Sequence, residues 1–199
     1  MSKGLPDAAG FFTEKSAMAA ANKLVDTNKT SGILFGMKLV TSNSCAYDLD
    51  CRMAAERNRR MKAAVVYWSG SGNTEAMANA VAEGAKSAGA EVDMFGPRDF
   101  DASKAGEYAG IAFGCPAMGA EELEDSVFQP MFDACRPALK GKRIALFGSY
   151  DWGDGDWLRS WEESCRTDGA EIAVESLKCN LTPDDAGREA CRALGAALA

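Results

Sequence analysis

The sequence predicts an α/β domain over residues 61–199: a doubly wound, five-stranded parallel sheet with helices on both faces. Two observations predict it. Short apolar runs alternate five times with helical patterns, which is the order of βαβ units and of a sheet covered on both sides. A Gly/Ser-rich hexamer, Ser69-Gly70-Ser71-Gly72-Asn73-Thr74, joins the first run directly to the first helical pattern.

The elements follow in order. Residues 63–67 form the first strand. Glu75–Ala88 repeats apolar residues near helical spacing, and Gly89 ends it. Glu91–Phe95 alternates as a second strand, and Asp99–Glu107 reads as a short polar helix in a connection. Ala109–Gly114 is a third, buried strand. Glu122–Cys135 is a helix that Pro130 bends or divides. Arg143–Ser149 is the fourth strand, Asp154–Thr167 a helix, and Ala170–Ser176 the fifth strand. Thr182 caps a last helix with Pro183 at its first position. In such sheets ligands sit at the carboxyl ends of the strands, where the strand order reverses.

Composition narrows the function classes. No apolar stretch approaches the roughly 18 residues a membrane span needs. The N-terminus has no secretory signal pattern, so a cytoplasmic location is expected. The 7 Cys form no C-x-x-C and the chain has 0 His, so neither a zinc site nor a disulfide framework is expected. Most of the cysteines are expected to be small buried hydrophobes. Residues 61–199 carry a net charge of −10, which argues against nucleic acid and for a basic protein partner.

The hexamer has the chemistry of a phosphate cradle. Such a loop gathers backbone N–H groups and hydroxyls at a helix N-terminus, where the dipole adds positive potential. No Lys or Arg lies between Ala63 and Ala85, so an anion there is held by neutral donors. A Walker loop needs Lys after its last Gly, and none follows Gly72. A dinucleotide fingerprint needs a third Gly where Glu75 stands. A plain connecting turn is the alternative, with Thr74 only a helix cap and Ser69 only a turn former.

Three segments in register carry a resemblance. Tyr67–Glu75 (Y-W-S-G-S-G-N-T-E), Cys115–Glu124 (C-P-A-M-G-A-E-E-L-E) and Phe147–Trp157 (F-G-S-Y-D-W-G-D-G-D-W) resemble the FMN loops of the short-chain flavodoxins. The resemblance implies FMN as cofactor, bound without a covalent link. It places the FMN phosphate at Ser69, Gly70, Ser71, Gly72, Asn73 and Thr74. It places the ring between Ala117, Met118, Gly119, Ala120 and Glu121 on one side and Ser149, Tyr150, Asp151, Trp152 and Gly153 on the other. Trp152 and Met118 would cover the two ring faces, and Glu121 would bond flavin N3. Trp68 would wall the site, whereas Trp157 and Trp161, four apart, read as packing residues.

The resemblance also implies that the peptide after Gly119 reorients when flavin takes one electron. Gly119 suits the first central position of a type II′ turn, and Ala120 disfavours type II. One hydrogen bond of about 1 kcal/mol moves a one-electron potential by roughly 40 mV. Ala120 replaces a residue that is usually polar in the family, and Asp151 one that is usually Gly. Glu121, Glu122, Glu124, Asp125, Asp151, Asp154 and Asp156 are expected to form an acidic rim around the loops. That rim would oppose the negative charge of the second electron and steer basic partners.

The expected function is a monomeric single-electron carrier between redox proteins with basic patches, with no substrate and no metal. One alternative is a flavodoxin-fold, FMN-dependent NAD(P)H or quinone reductase. Another is a binding module that has lost the flavin.

Residues 1–60 lie outside the resemblance and carry a net charge of +3. They show only a weak helical pattern over Ala8–Val25. They read either as an extension of unknown role or as a coding start placed too early, because Met61-Lys62 stands where the family's chains begin. The second reading predicts that N-terminal sequencing of the native protein starts at Met61. A start at Met1 refutes it.

Overall fold

A computed structural model describes residues 62–199; the 1–60 extension, Met61, Cys45 and Cys51 lie outside the described residues. The sheet is built from β1 (Lys62–Tyr67), β2 (Glu91–Phe95), β3 (Gly110–Gly114) and β4 (Arg143–Tyr150). Two short strands, β5 (Glu171–Ile172) and β6 (Leu177–Asn180), share the fifth lane, both paired with β4. Every pairing is parallel, in the order β2-β1-β3-β4 and then the fifth lane. The helices are α1 (Asn73–Ser87), α2 (Ala102–Ala105), α3 (Phe128–Cys135), α4 (Asp156–Thr167) and α5 (Asp185–Ala196). A 3₁₀ turn over Arg136–Leu139 continues α3. The chain leaves β1 to one side for β2 and to the other for β3, so the switch point lies between β1 and β3.

Alternate residues of each central strand serve opposite layers. Val65, Ala112, Ala145 and Phe147 pack beneath α1 and α5 with Met77, Val81 and Leu194. Val66, Ile111, Phe113, Ile144 and Leu146 pack on the other face with Phe128, Phe132, Trp157 and Trp161. Burial on both faces is why these strands read as continuous apolar runs. Each fully buried large side chain contributes about 1.5–3 kcal/mol. Phe132 and Trp161 meet edge to face at 5.3 Å, and Phe128 and Trp161 at 5.6 Å. Both Trp157 and Trp161 are therefore core residues, as their spacing predicts.

Several expected boundaries are corrected. The helix expected over Glu122–Cys135 begins only at Phe128, because Glu124 turns inward and accepts from the N–H groups of Ser126, Val127 and Phe128. Pro130 then falls in the first turn, where its missing N–H costs nothing, and it bends no helix. The helix expected over Asp99–Glu107 shrinks to α2, capped by Asp101. The last helix is capped by Asp184 rather than Thr182, whose hydroxyl donates instead to Asn73 Oδ1 at 2.7 Å. The expected strand Ala170–Ser176 is interrupted. Between Ile144↔Ile172 and Phe147↔Leu177, β4 advances three residues and the fifth lane five. Two extra residues are accommodated as a bulge over 173–176, and pairing resumes in β6.

The α1–α5 contact is set by two glycines. A Cβ on Gly84 would lie 1.9 Å from the Arg192 carbonyl oxygen, and one on Gly195 would lie 1.9 Å from that of Val81. Neither neighbour is a flexible side-chain tip. Gly195→Ala is expected to cost about 2–3 kcal/mol, the upper part of the usual range for overpacking. The check is urea unfolding, where the midpoint falls and the slope is unchanged.

Candidate functional site

Three loops leave the carboxyl ends of β1, β3 and β4 and meet over the switch point. They border a cleft of about 270 Å³. Gly70, Ser71 and Asn73 line it from the first loop, Pro116, Ala117 and Met118 from the second, and Ser149, Tyr150 and Asp151 from the third. Trp68 forms a wall, and its indole covers Gly70 so closely that a Cβ there would sit 2.9 Å from the ring. Leu181, from the β6–α5 connection, completes the lining. The sequence reading missed Leu181. Its signals are a half-exposed large apolar side chain and a left-handed backbone, φ 54°, both properties of the folded loop.

The first loop is organised around its donors. Gly72 takes φ 90°, a left-handed conformation open to Gly at no steric cost, and α1 starts there without a side-chain cap. Ser69 Oγ accepts from Gly72 N at 3.0 Å and folds the loop back on itself. The first-turn N–H groups of α1 have no intrahelical partner by construction. Burial first, and the charge of the nearby Glu75 carboxylate second, raise the Tyr67 pKa.

The other helices begin differently. Asp101 accepts at the start of α2, Glu124 at α3 and Asp184 at α5. Glu121 Oε1 accepts from Gly155 N at 2.8 Å and Asp156 N at 3.1 Å, at the start of α4. Among the described residues, α1 alone begins on no carboxylate of its own chain.

Thr74 is not a helix cap. It is fully buried, and its hydroxyl meets Ser149 Oγ at 2.8 Å, tying the first loop to the third. Asn73 offers its side-chain oxygen to Thr182. Asn180 Nδ2 donates to the carbonyls of Tyr150, at 3.2 Å, and Asp151, at 3.1 Å. The end of β6 and the β6–α5 connection thus brace both outer loops.

The second loop departs from the expected two-residue turn. Met118 and Glu122 exchange both backbone hydrogen bonds at 2.9 Å, so the turn holds three residues, Gly119, Ala120 and Glu121. Gly119 has φ 49° and Glu121 φ 59°. The Glu121 carboxylate is drawn to α4, which explains how a non-glycine residue is held in the left-handed region. A Cβ on Gly153 would lie 2.5 Å from that carboxylate and displace it from the start of α4, and its φ of 88° favours glycine. Met118 and Trp152 are both exposed, Trp152 by 61%, so neither is core packing. Trp152 and Gly153 stand outside the cleft lining.

The acidic rim is smaller than expected. Glu124 is buried and serves α3. Asp154 and Asp156 both pair with Arg159, Asp154 at 2.7 Å. With Glu121 they place three carboxylate oxygens within 4.8 Å of one another, a cluster that Arg159 and the α4 N–H groups offset in part. Glu122, Asp125 and Asp151 are exposed beside the loops with no ion pair among the described residues, and Asp154 and Asp156 are exposed but paired.

The flavodoxin family profile matches residues 65–195. The chain belongs to the flavodoxin family. It is 45% identical over 135 residues to the flavodoxin of Megasphaera elsdenii, covering 68% of this chain and 96% of that one. It is 38% identical to the flavodoxin of Clostridium beijerinckii, covering 63% and 91%. The solution structure of two-electron reduced Megasphaera elsdenii flavodoxin matches with a TM-score of 0.63 at 44% identity, over 68% of this chain and 97% of that one. Flavodoxins are FMN-binding electron-transfer proteins. The residues fit that group: an uncapped helix start for its phosphate, neutral donors around it and an open cleft between the loops. No helix among the described residues is long and apolar enough to cross a membrane.

Burial by itself would raise the Glu124 carboxyl, but the hydrogen bonds from Ser126, Phe128 and Val127 outweigh it and hold the group below its ordinary value. A lowered folded-state pKa means stability that is present above the unfolded-state value and lost as pH falls through the folded one. Glu124→Gln is therefore expected to destabilise the domain near pH 7 and to flatten the acid limb below about pH 4.3. Urea midpoints measured from pH 7 to pH 3 check it; an acid limb as steep as the wild type's contradicts it.

Proposed function

We propose that this flavodoxin domain carries single electrons between redox partner proteins through one non-covalently bound FMN. The observation that carries the reading is the start of α1. In a domain of net charge −10, four helices begin on carboxylates, and the one beneath the Gly/Ser loop leaves its donors to an acceptor from outside. A phosphate monoester is that acceptor, with close to two negative charges and oxygens that bond several N–H groups at once.

The chain's own residues then divide the work. The backbone of Ser69–Thr74, the Ser71 hydroxyl and the free amide of Asn73 hold the phosphate. The buried Thr74–Ser149 bond fixes the distance between phosphate loop and third loop. Met118 and Trp152, exposed and on different loops, cover the ring faces. Glu121 keeps Oε2 for flavin N3 while Oε1 holds the start of α4. When bound, FMN supplies the one-electron chemistry, and the protein supplies binding, orientation and field. The exposed acids Glu122, Asp125 and Asp151 favour a partner with a basic face, and salt weakens that attraction. The domain acts in the cytoplasm as a monomer.

Titration of the flavin-free protein tests the reading. It should take up one FMN per chain, and riboflavin, which lacks the phosphate, should bind at least about 100-fold more weakly, the equivalent of two charge-assisted hydrogen bonds. Trp152→Ala should weaken FMN by roughly tenfold, since aromatic stacking contributes about 0.5–1.5 kcal/mol beyond area burial. Stepwise reduction should pass through a one-electron flavin spectrum. Equal affinity for riboflavin and FMN would overturn the phosphate site, and NADPH oxidation by the protein alone would favour a reductase.

A further inference from the structure

The flavin reading leaves one pair of side chains unused. Cys179 lies on β6 and Cys191 on α5, and the two thiols are near enough to shift each other's titration. The packing of helix on strand brings them together. A Cβ on Gly187 would lie 3.1 Å from Cys179 Sγ, and Cys191 follows Gly187 by one helical turn on the same face. Both cysteines border the same apolar cluster under α5.

The two are unlike in access. Cys179 is half-buried and Cys191 fully buried. The Cys191 S–H favours a thiolate on Cys179, against burial and the nearby Asp184 carboxylate, and the net effect lowers the Cys179 pKa. The same contact, with burial, raises Cys191. Cys115, Cys135 and Cys165 are all buried, and burial pushes the first up to about 12. An outer, nucleophilic thiol backed by an inner one is the arrangement that closes a disulfide through a mixed intermediate.

We propose that Cys179 and Cys191 are a redox-active dithiol, which a small-molecule disulfide such as oxidised glutathione converts to an intramolecular disulfide. The Cys179 thiolate attacks one sulfur of the oxidant, whose S–S bond breaks and releases one glutathione thiolate. The Cys191 sulfur then attacks Cys179 Sγ and expels the second glutathione, and the Cys191 proton passes to a departing thiolate. Two cysteine thiols are oxidised, and one glutathione disulfide is reduced to two thiols. The bond would tie α5 to β6 at the root of their connection, where Asn180 at the end of β6 and Leu181 and Thr182 after it meet the loops of the cleft. The pair stands whether or not the cleft holds FMN.

The test incubates the full chain, with and without FMN, in oxidised glutathione, alkylates the remaining thiols and maps peptides by mass. In the wild type, the Cys179 and Cys191 peptides should be joined, with no glutathione retained on either. Cys191→Ala should keep one glutathione on Cys179, and Cys179→Ala should leave Cys191 unmodified. Glutathione stranded on Cys179 of the wild type would overturn the proposal. So would both thiols remaining alkylatable, or either cysteine joined to Cys45 or Cys51. The wild-type map decides alone if a variant does not fold.

Discussion

The first turn of α1 is the constraint on which the rest of the site depends. Its N–H groups are aimed at the end of β1, they cannot be satisfied within the helix, and among the described residues no acidic side chain accepts from them. An intrinsically acidic domain would repel an anion almost everywhere else on its surface. In the proposed reading, the field of the helix, the lack of Lys and Arg over residues 63–85 and the reach of Gly70 and Gly72 would hold the anion by hydrogen bonding rather than by opposite charge. The neighbouring helices show the alternative, since each already holds a carboxylate of its own.

Those internal carboxylates also bear on the electrostatics of the rim. Glu121, Glu124, Asp154 and Asp156 all lie close to the flavin loops in sequence, and all are engaged by helix N–H groups or by Arg159. Their charge is partly spent on holding α3 and α4 in position. The exposed acids Glu122, Asp125 and Asp151 make no ion pair among the described residues and so weigh most in the field at the cleft mouth, which is milder than the net charge suggests.

Local features were the legible ones. The Ser69–Thr74 loop, the order of the strands and the split between exposed Trp152 and buried Trp157 and Trp161 follow from residue type and spacing within a few positions. What sequence did not disclose depends on residues far apart. Glu121 caps a helix that begins 35 residues later, and Thr182 reaches back to Asn73. Thr74 looks like a cap because Thr at that place usually is one, yet a hydroxyl on β4 takes it. Pro130 looks like a helix breaker until Glu124 moves the start of α3. Cys179 and Cys191 form no recognisable motif, because a strand and a helix, not a short spacing, bring them together.

The bulge in the fifth lane has a consequence for how the scaffold tolerates change. The backbone leaves the ladder after Ile172, makes its excursion at the sheet's edge and is back in step with β4 at Leu177. Closure entropy rises only slowly with the number of residues enclosed, about 0.6 kcal/mol for each doubling. This is a natural splice point, where an added peptide or a whole guest module can be threaded in while the other four strands and the cofactor end of the molecule keep their positions.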